Sequence, residues 1–283
     1  MVEVSTEAIA SLAQYYDQPL RCFTFGDFQL TPTVEEFEEI LGCPPGGRKL
    51  YLFSGFYPSL TRISKIVKIS TQELDWGKQV ENGVVGVPRK CLEEKERTLA
   101  SQDEWAPFMD VLALLIFGVV LFPNVDGLVD LTAIDAFLTF HNRKESPVVA
   151  ISVDLYDTFD RRCEKNRARI VCCTLALYVR HVCPLEGHRS CTAKKEANWD
   201  QLLASKEGVS VNWFSRWKEE RTGILISCRG FPNVPLMGMR GCINYNLVLT
   251  IRQLGYPMRG APSEEGLTPF IARGFNSTSA GVL

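Results

Sequence analysis

Histidine is scarce in this sequence, with three residues among 283, and several larger features are missing. Residues 1–17 carry Glu3, Glu7 and Asp17 with no basic start and no continuous apolar stretch, so a secretory signal peptide is not expected. Ten cysteines therefore read as reduced intracellular thiols. A disulfide scaffold would suit a much shorter secreted chain. The sequon Asn276-Ser277-Thr278 carries little weight without the secretory route. No membrane span is expected either. The apolar run VLALLIFGVVLF, Val111–Phe122, would rise only about 18 Å as a helix against a hydrocarbon core of roughly 30 Å. Pro107 and Pro123 bracket it, and Asp103, Glu104, Asp110 and Asp126 stand close by. The run reads as a helix buried on all sides at the centre of the fold. There is no internal repeat, no convincing inter-domain linker, and neither G-x-x-x-x-G-K-[ST] nor G-x-G-x-x-G after a strand.

What remains is the composition of a soluble globular protein, 46% hydrophobic and 23% charged. Its net charge of −2 hides an asymmetry. The segment Arg161–Lys195 holds nine Lys or Arg against Glu164 and Glu186, a local +7 that leaves −9 elsewhere. Such a patch suits nucleic acid or an acidic partner. A solvated helix face is the simpler reading, because no aromatic platform interleaves the charges as a single-strand binder requires.

Helical signals dominate. Ser5 or Thr6 can cap a first helix with Ile9, Leu12, Ala13 and Tyr16 on one face. RCFTFGDFQL alternates as a short strand or extended segment, with Cys22, Thr24 and Gly26 opposite Phe23 and Phe25. TPTVEEFEEILG then spells a helix: Thr33 and Glu36 as a capping box, Phe37, Ile40 and Leu41 as the buried stripe, Gly42 as the stop. Further helices are expected over residues 58–69, 88–100 and 103–122. Another starts at Asp130 or Thr132, with Ile134, Phe137, Leu138 and His141 on one face. VVAISVDLYDTFDRRCEKN and RARIVCCTLALYVRHV read as an α-hairpin joined near Asn166. Trp199, Trp213 and Trp217 fall in short segments, and NYNLVLTIRQLG gives a last helix ending at Gly255. Residues 259–283 read as a disordered tail.

The stretch PLRCFTFGDFQLTPTVEEFEEILG, with Phe23, Phe25, Phe28, Thr33, Glu35, Glu36 and Phe37 in place, resembles the opening of a plant family of unassigned role. That family is related to the plant mobile domain, which travels with transposable elements. The resemblance resumes at VVAISVDLYDTFDRRCEKNRARIVCCTLALY and is strongest over GFPNVPLMGMRGCINYNLVLTIRQLGYPM, Gly230 to Met258. It spans about residues 10–258. Three features depart from the pattern: Cys242 stands where a second glycine is expected, Leu247 where a proline is expected, and the chain stops soon after GYPM. The last feature reads as truncation. The resemblance implies a mostly helical, nuclear domain without established catalysis, found in element-encoded proteins and in host proteins linked to element silencing. The name "aminotransferase-like" sometimes attached to the plant mobile domain finds no support, since no lysine stands in a context suggesting a Schiff base.

Four groups of residues invite chemistry. His181, Cys183, His188 and Cys191 could supply four zinc ligands. Yet H-x-C-x4-H-x2-C matches no common zinc module, and residues two apart on a helix point to nearly opposite faces. A helix end and polar loop is the better reading. Asp154, Asp157 and Asp160 invite comparison with the two-metal sites of transposases. Three apart on one helix, they are expected to drift around its surface, with Asp157 in a surface ion pair to Arg161. Cys172 and Cys173 sit in the apolar run IVCCTLALY, where cysteine packs as a small hydrophobe. In NVPLMGMRGCINYN, Gly238 and Gly241 read as turn residues, and Asn244 or Asn246 as the cap of the last helix.

The expectation is thus a mainly α protein: a single irregular multi-helix domain over residues 5–258 around a buried central helix at about 108–122, with at most a few short strands. Its expected role is a non-catalytic interaction or scaffold module of transposable-element origin, with a protein partner and no cofactor. Phe23, Phe25, Phe37 and Asn233–Tyr245 are the structural determinants. Arg161, Arg162, Lys165, Arg167 and Arg169 are the candidate contact surface. Two rivals are nucleic-acid binding through residues 161–195 and a metal-dependent hydrolase.

Overall fold

The computed structural model describes residues 4–42, 49–77, 79–81, 83–165, 168–182, 199–207, 234–237, 241–245 and 271–273. The chain divides into two compact units. The first takes Met1–Arg48, Val148–Ile170 and Thr174–Gly274; the second takes Lys49–Pro147, Val171–Cys173 and Phe275–Leu283. The fold is mainly α with few short strands, as the sequence leads one to expect.

Unit one opens with α1 (Thr6–Leu12), capped by Ser5, whose hydroxyl accepts the Ala8 amide at 3.2 Å. β1 (Tyr16–Asp17), β2 (Cys22–Thr24) and β3 (Gln29–Leu30) follow as an antiparallel sheet that pairs Tyr16 with Phe23 and Phe23 with Leu30. Both faces of β2 are covered, since Cys22 and Phe23 are both buried. α2 (Val34–Ile40) carries the anticipated capping box: the Glu36 amide donates to the Thr33 hydroxyl at 3.2 Å, and the Thr33 amide donates to the Glu36 carboxylate at 3.0 Å. Gly42 ends it at φ +60°, the left-handed conformation glycine adopts without steric cost. The buried face of α2 is Val34, Glu35 and Phe37. Ile40 and Leu41 stay half-exposed, so a carboxylate takes part of the stripe assigned to them.

Unit two holds α3 (Leu60–Val67), α4 (Thr71–Gly77), β4 (Gln79–Glu81), β5 (Val84–Pro88), α5 (Arg89–Ser101), α6 (Trp105–Ile116), β6 (Leu128–Asp130) and α7 (Leu131–Arg143). α4 and all three strands escape sequence inspection because they are short, and the strands make their hydrogen bonds with distant segments across the sheet β4-β5-β6. α6 continues into a π turn, Phe117–Leu121. As expected, this helix lies in a core: it packs on α3, α5 and α7 through Val111, Leu114, Leu115, Phe117 and Leu121. It is not buried on all sides, because Trp105, Met109 and Ile116 face solvent. Gly118 lets β6 approach the π turn, where an added Cβ would meet Val129 Cγ1 at 2.4 Å. Asp130 caps α7 by accepting the Ala133 amide at 2.7 Å.

The chain returns to unit one with α8 (Val148–Glu164), in which every residue from Val148 to Asp160 is buried. The expected α-hairpin does not form. Residues 168–173 are non-helical, and only α9 (Thr174–Leu177) and a π turn, Tyr178–Val182, follow. α10 (Trp199–Ala204) packs against α1. β7 (Val234–Met237), β8 (Gly241–Tyr245) and β9 (Ile271–Arg273) form a third antiparallel sheet, of which β7 and β8 pack on α8. Gly241 is therefore a strand residue. Asn244 pairs with Pro235 instead of capping a helix. In the segment read as a tail, Ile271–Arg273 lies beside β8. Trp213, Trp217, Asn246 and the rest of the last expected helix lie outside the described residues.

Gly118→Ala is expected to destabilise the protein by about 1–3 kcal/mol, although Gly→Ala within a helix ordinarily stabilises. Gly26→Ala, with nothing within 4 Å of the new Cβ, should be near neutral. Urea denaturation of the two variants beside the parent checks both.

Candidate functional site

A helix buried along thirteen consecutive residues would ordinarily be apolar. α8 instead carries Asp154, Asp157 and Asp160 inside unit one, at 2%, 3% and 0% exposure. This corrects the surface placement read from their spacing. The physical reason is that neighbouring elements bring countercharge and hydroxyl groups to the helix, which no three-residue spacing can reveal. Tyr16 at the start of β1 donates its hydroxyl to Asp160 Oδ1 at 2.9 Å. Arg21 donates Nε to Asp160 Oδ2 at 3.2 Å and is itself 4% exposed. Its backbone is left-handed at φ 51°, a conformation costing a non-glycine residue about 1–2 kcal/mol. Arg161 bonds Asp157 as expected for an i, i+4 pair, but the carboxylate end of that pair is buried. Glu35 of α2 is also buried, and α2 packs on α8.

Aromatic rings close around the cluster. Phe159 of α8 lies 5.1 Å from Tyr16 and 5.2 Å from Phe23, the latter edge-to-face at 89°. Tyr156 donates its hydroxyl to the Pro32 carbonyl. Burial first, and the Asp160 carboxylate second, push the Tyr16 phenol well above its ordinary value.

His181 stands in the π turn after α9, at 1% exposure, with Nε2 3.9 Å from Glu36 Oε2 and its ring 6.4 Å from Phe23. The other residues of that cluster, Cys183, His188 and Cys191, lie outside the described residues. Among the described residues no three His, Cys, Asp or Glu side chains gather closely enough to hold a metal ion. Cys172 and Cys173 are buried, as their apolar run predicts, and burial pushes the Cys22 thiol up to about 11.

The basic surface is partly consumed by the fold. Arg161 is held by Asp157, and Arg162 Nη1 donates to the Ala168 carbonyl at 2.9 Å. Lys165 and Arg169 are exposed, and Arg167 lies outside the described residues. Tyr16, assigned from the sequence to one face of the first helix, instead opens β1 because α1 ends at Leu12, and sequence reasoning missed Arg21 and Glu35 as polar core residues. Arg21 and Asp160 are 139 positions apart, so no local signal joins them.

The family model described as "Domain of unknown function (DUF7745)" matches residues 1–282. No curated protein and no solved structure gives a match. Among the described residues no helix is long and apolar enough to cross a membrane.

Asp160→Asn should cost about 3–5 kcal/mol by stranding the Arg21 guanidinium in the interior, whereas the paired change Asp160→Leu with Arg21→Met should recover much of that loss. Equilibrium urea unfolding of the single and double variants measures it. Tyr16 sets an alkaline limit. Its phenol ionises near 10.0 when unfolded and higher when folded, so its contribution is complete below pH 10 and falls as pH rises above that. A pH series of melting temperatures should show that decline in the parent chain and a shallower one in Tyr16→Phe.

Proposed function

This chain belongs to the DUF7745 family, and we propose that it serves as a non-catalytic interaction or scaffold module related to the plant mobile domain, of transposable-element origin and acting in the nucleus. The observation that carries the reading is the use made of its acidic residues. Asp157 and Asp160, the carboxylates that invite comparison with a nuclease centre, are engaged by Arg161, Arg21 and Tyr16 within a closed interior. A two-metal nuclease needs its carboxylates converging on a pocket that substrate can enter. The large apolar side chains exposed among the described residues are, by contrast, Leu50, Leu52, Phe56, Tyr57, Val80, Trp105, Met109 and Ile116, all in unit two. Trp105, Met109 and Ile116 share one face of α6, and an exposed apolar face of this kind favours a protein partner. Two of the arginines nominated for nucleic acid, Arg161 and Arg162, already bond within unit one, which weighs against that rival.

Immobilised intact chain exposed to plant nuclear extract should retain a reproducible set of proteins after nuclease digestion. Retention that vanishes with digestion, or that falls steeply with salt on DNA or RNA alone, would favour the nucleic-acid reading. Stoichiometric metal in the purified chain by elemental analysis would reopen the hydrolase reading.

A further inference from the structure

His141 stands in the last turn of α7, with an oxygen against each of its ring nitrogens. Nε2 lies 3.1 Å from Asp110 Oδ1 of α6, and Nδ1 lies 3.3 Å from Asn142 Oδ1. The Asn142 amide is oriented from its other end, because Nδ2 donates to the Leu138 carbonyl at 2.8 Å. Turned over, it would set its oxygen against that carbonyl, so Oδ1 faces the imidazole as an acceptor. A neutral imidazole carries one N–H and can serve only one of the two oxygens. The imidazolium carries two and serves both. The carbonyls that end α7 also favour a cation in its last turn.

The elements packed on α7 leave Asp110 as the counter-ion of this ring. α6 contains one titratable residue, Asp110, while Asp103 and Glu104 precede the helix. The π turn Phe117–Leu121 and β5 hold no titratable side chain. β6 brings Asp130, which is engaged at the opposite end of α7 by the Ala133 amide and the side chains of Thr132 and Asn124. Within α7, Asp135 accepts the Tyr51 hydroxyl, and Arg62 and Arg143 are the cations that act on it. Arg143 and Lys144 follow His141 as exposed residues, and Glu145 after them is half-exposed.

We infer that His141 is a proton-operated tie between α6 and the end of α7. Protonated, it joins Asp110 to Asn142; neutral, it serves only one of them. Histidine exchanges its proton between about pH 5 and 8. A neutral ring that keeps its proton on Nε2 for Asp110 turns an Nδ1 lone pair toward Asn142 Oδ1. Asn142 then rotates and gives up its bond to the Leu138 carbonyl. The change falls where α7 ends: the Lys144 amide donates to the Phe140 carbonyl at 3.0 Å, and Ser146, two residues on, bonds Lys49 and Tyr51. The tie is therefore complete at low pH and is lost as pH rises through the histidine range. His141 and Asp110 are 38% and 33% exposed, so solvent screens the pair and the effect is local.

The test is amide hydrogen exchange of the intact chain at about pH 5.5 and 7.5, each corrected for the intrinsic chemical rate and read over the last turn of α7. Protection there should be about threefold or more greater at the lower pH in the parent chain. In His141→Gln, whose side chain does not titrate, it should be equal at the two pH values. Asp110→Asn should shrink the parent's ratio, and it serves as the second variant if His141→Gln loses its circular dichroism spectrum. Nitrogen-15 spectra of the histidine side chains give a separate readout. At the lower pH both ring nitrogens of His141 should carry protons, with the signal assigned by its absence in the glutamine variant or, where that variant does not fold, by backbone-to-side-chain correlation. A parent ratio near one, the same ratio in a folded His141→Gln or Asp110→Asn, or a neutral His141 ring at the lower pH would each overturn the inference.

Discussion

The Asp160 carboxylate, buried with Arg21 and Tyr16, is the constraint on which unit one depends. A carboxylate at 0% exposure loses its hydration, and a single neutral hydrogen bond does not replace it. Arg21 supplies the charge and Tyr16 a hydroxyl. Tyr16 lies in β1 and Arg21 in the turn just before β2, so the pairing draws β1 and β2 to α8 across more than 130 positions. The rings of Phe23 and Phe159 then pack edge-to-face where the polar atoms end. This arrangement specifies one mutual placement of strand and helix, because a shifted register would leave a buried ion alone. The left-handed backbone at Arg21 is consistent with a side chain held by its partner against a modest local cost.

Unit two is organised by packing. Gly118 and Val129 set how closely the π turn approaches β6, and Phe117 lies near Phe122, Phe137 and Phe140, at centroid separations of 5.5 to 6.2 Å. Its polar interior is small by comparison: Asp130 caps α7, and Tyr51 donates its hydroxyl to Asp135 at 3.0 Å. Burial raises the Asp135 carboxyl above its usual range, while the Tyr51 hydrogen bond opposes the rise. The two units thus reach uniqueness by different means, one through buried ions and the other through ring packing and a glycine contact.

The contrast between α6 and α8 bears on function. The most apolar segment of the chain keeps one side open, and the helix with three aspartates is enclosed. Hydrophobicity ranks how strongly a surface avoids water but does not say which neighbour covers it. An apolar helix can be covered by another chain, and a polar one can be enclosed wherever its own chain supplies partners. The charged residues that first suggest chemistry in unit one are therefore enclosed within it, and some of the apolar residues that first suggest core in unit two present a surface.

The sequence by itself determined the helical class, the capping box at Thr33 and Glu36, the stop at Gly42, the cap at Asp130 and the core character of Phe23, Phe25 and Phe37. Each of these is written within a few residues, where local hydrogen bonding and periodicity act. The tertiary structure decided what depends on distant pairing: the strands at Gln79–Glu81 and Gly241–Tyr245, the enclosure of Asp154, Asp157 and Asp160, and the open face of α6. Spacing on a helix fixes which residues share a face. It does not fix what that face meets, because the partners are chosen by contacts that form only when remote segments come together.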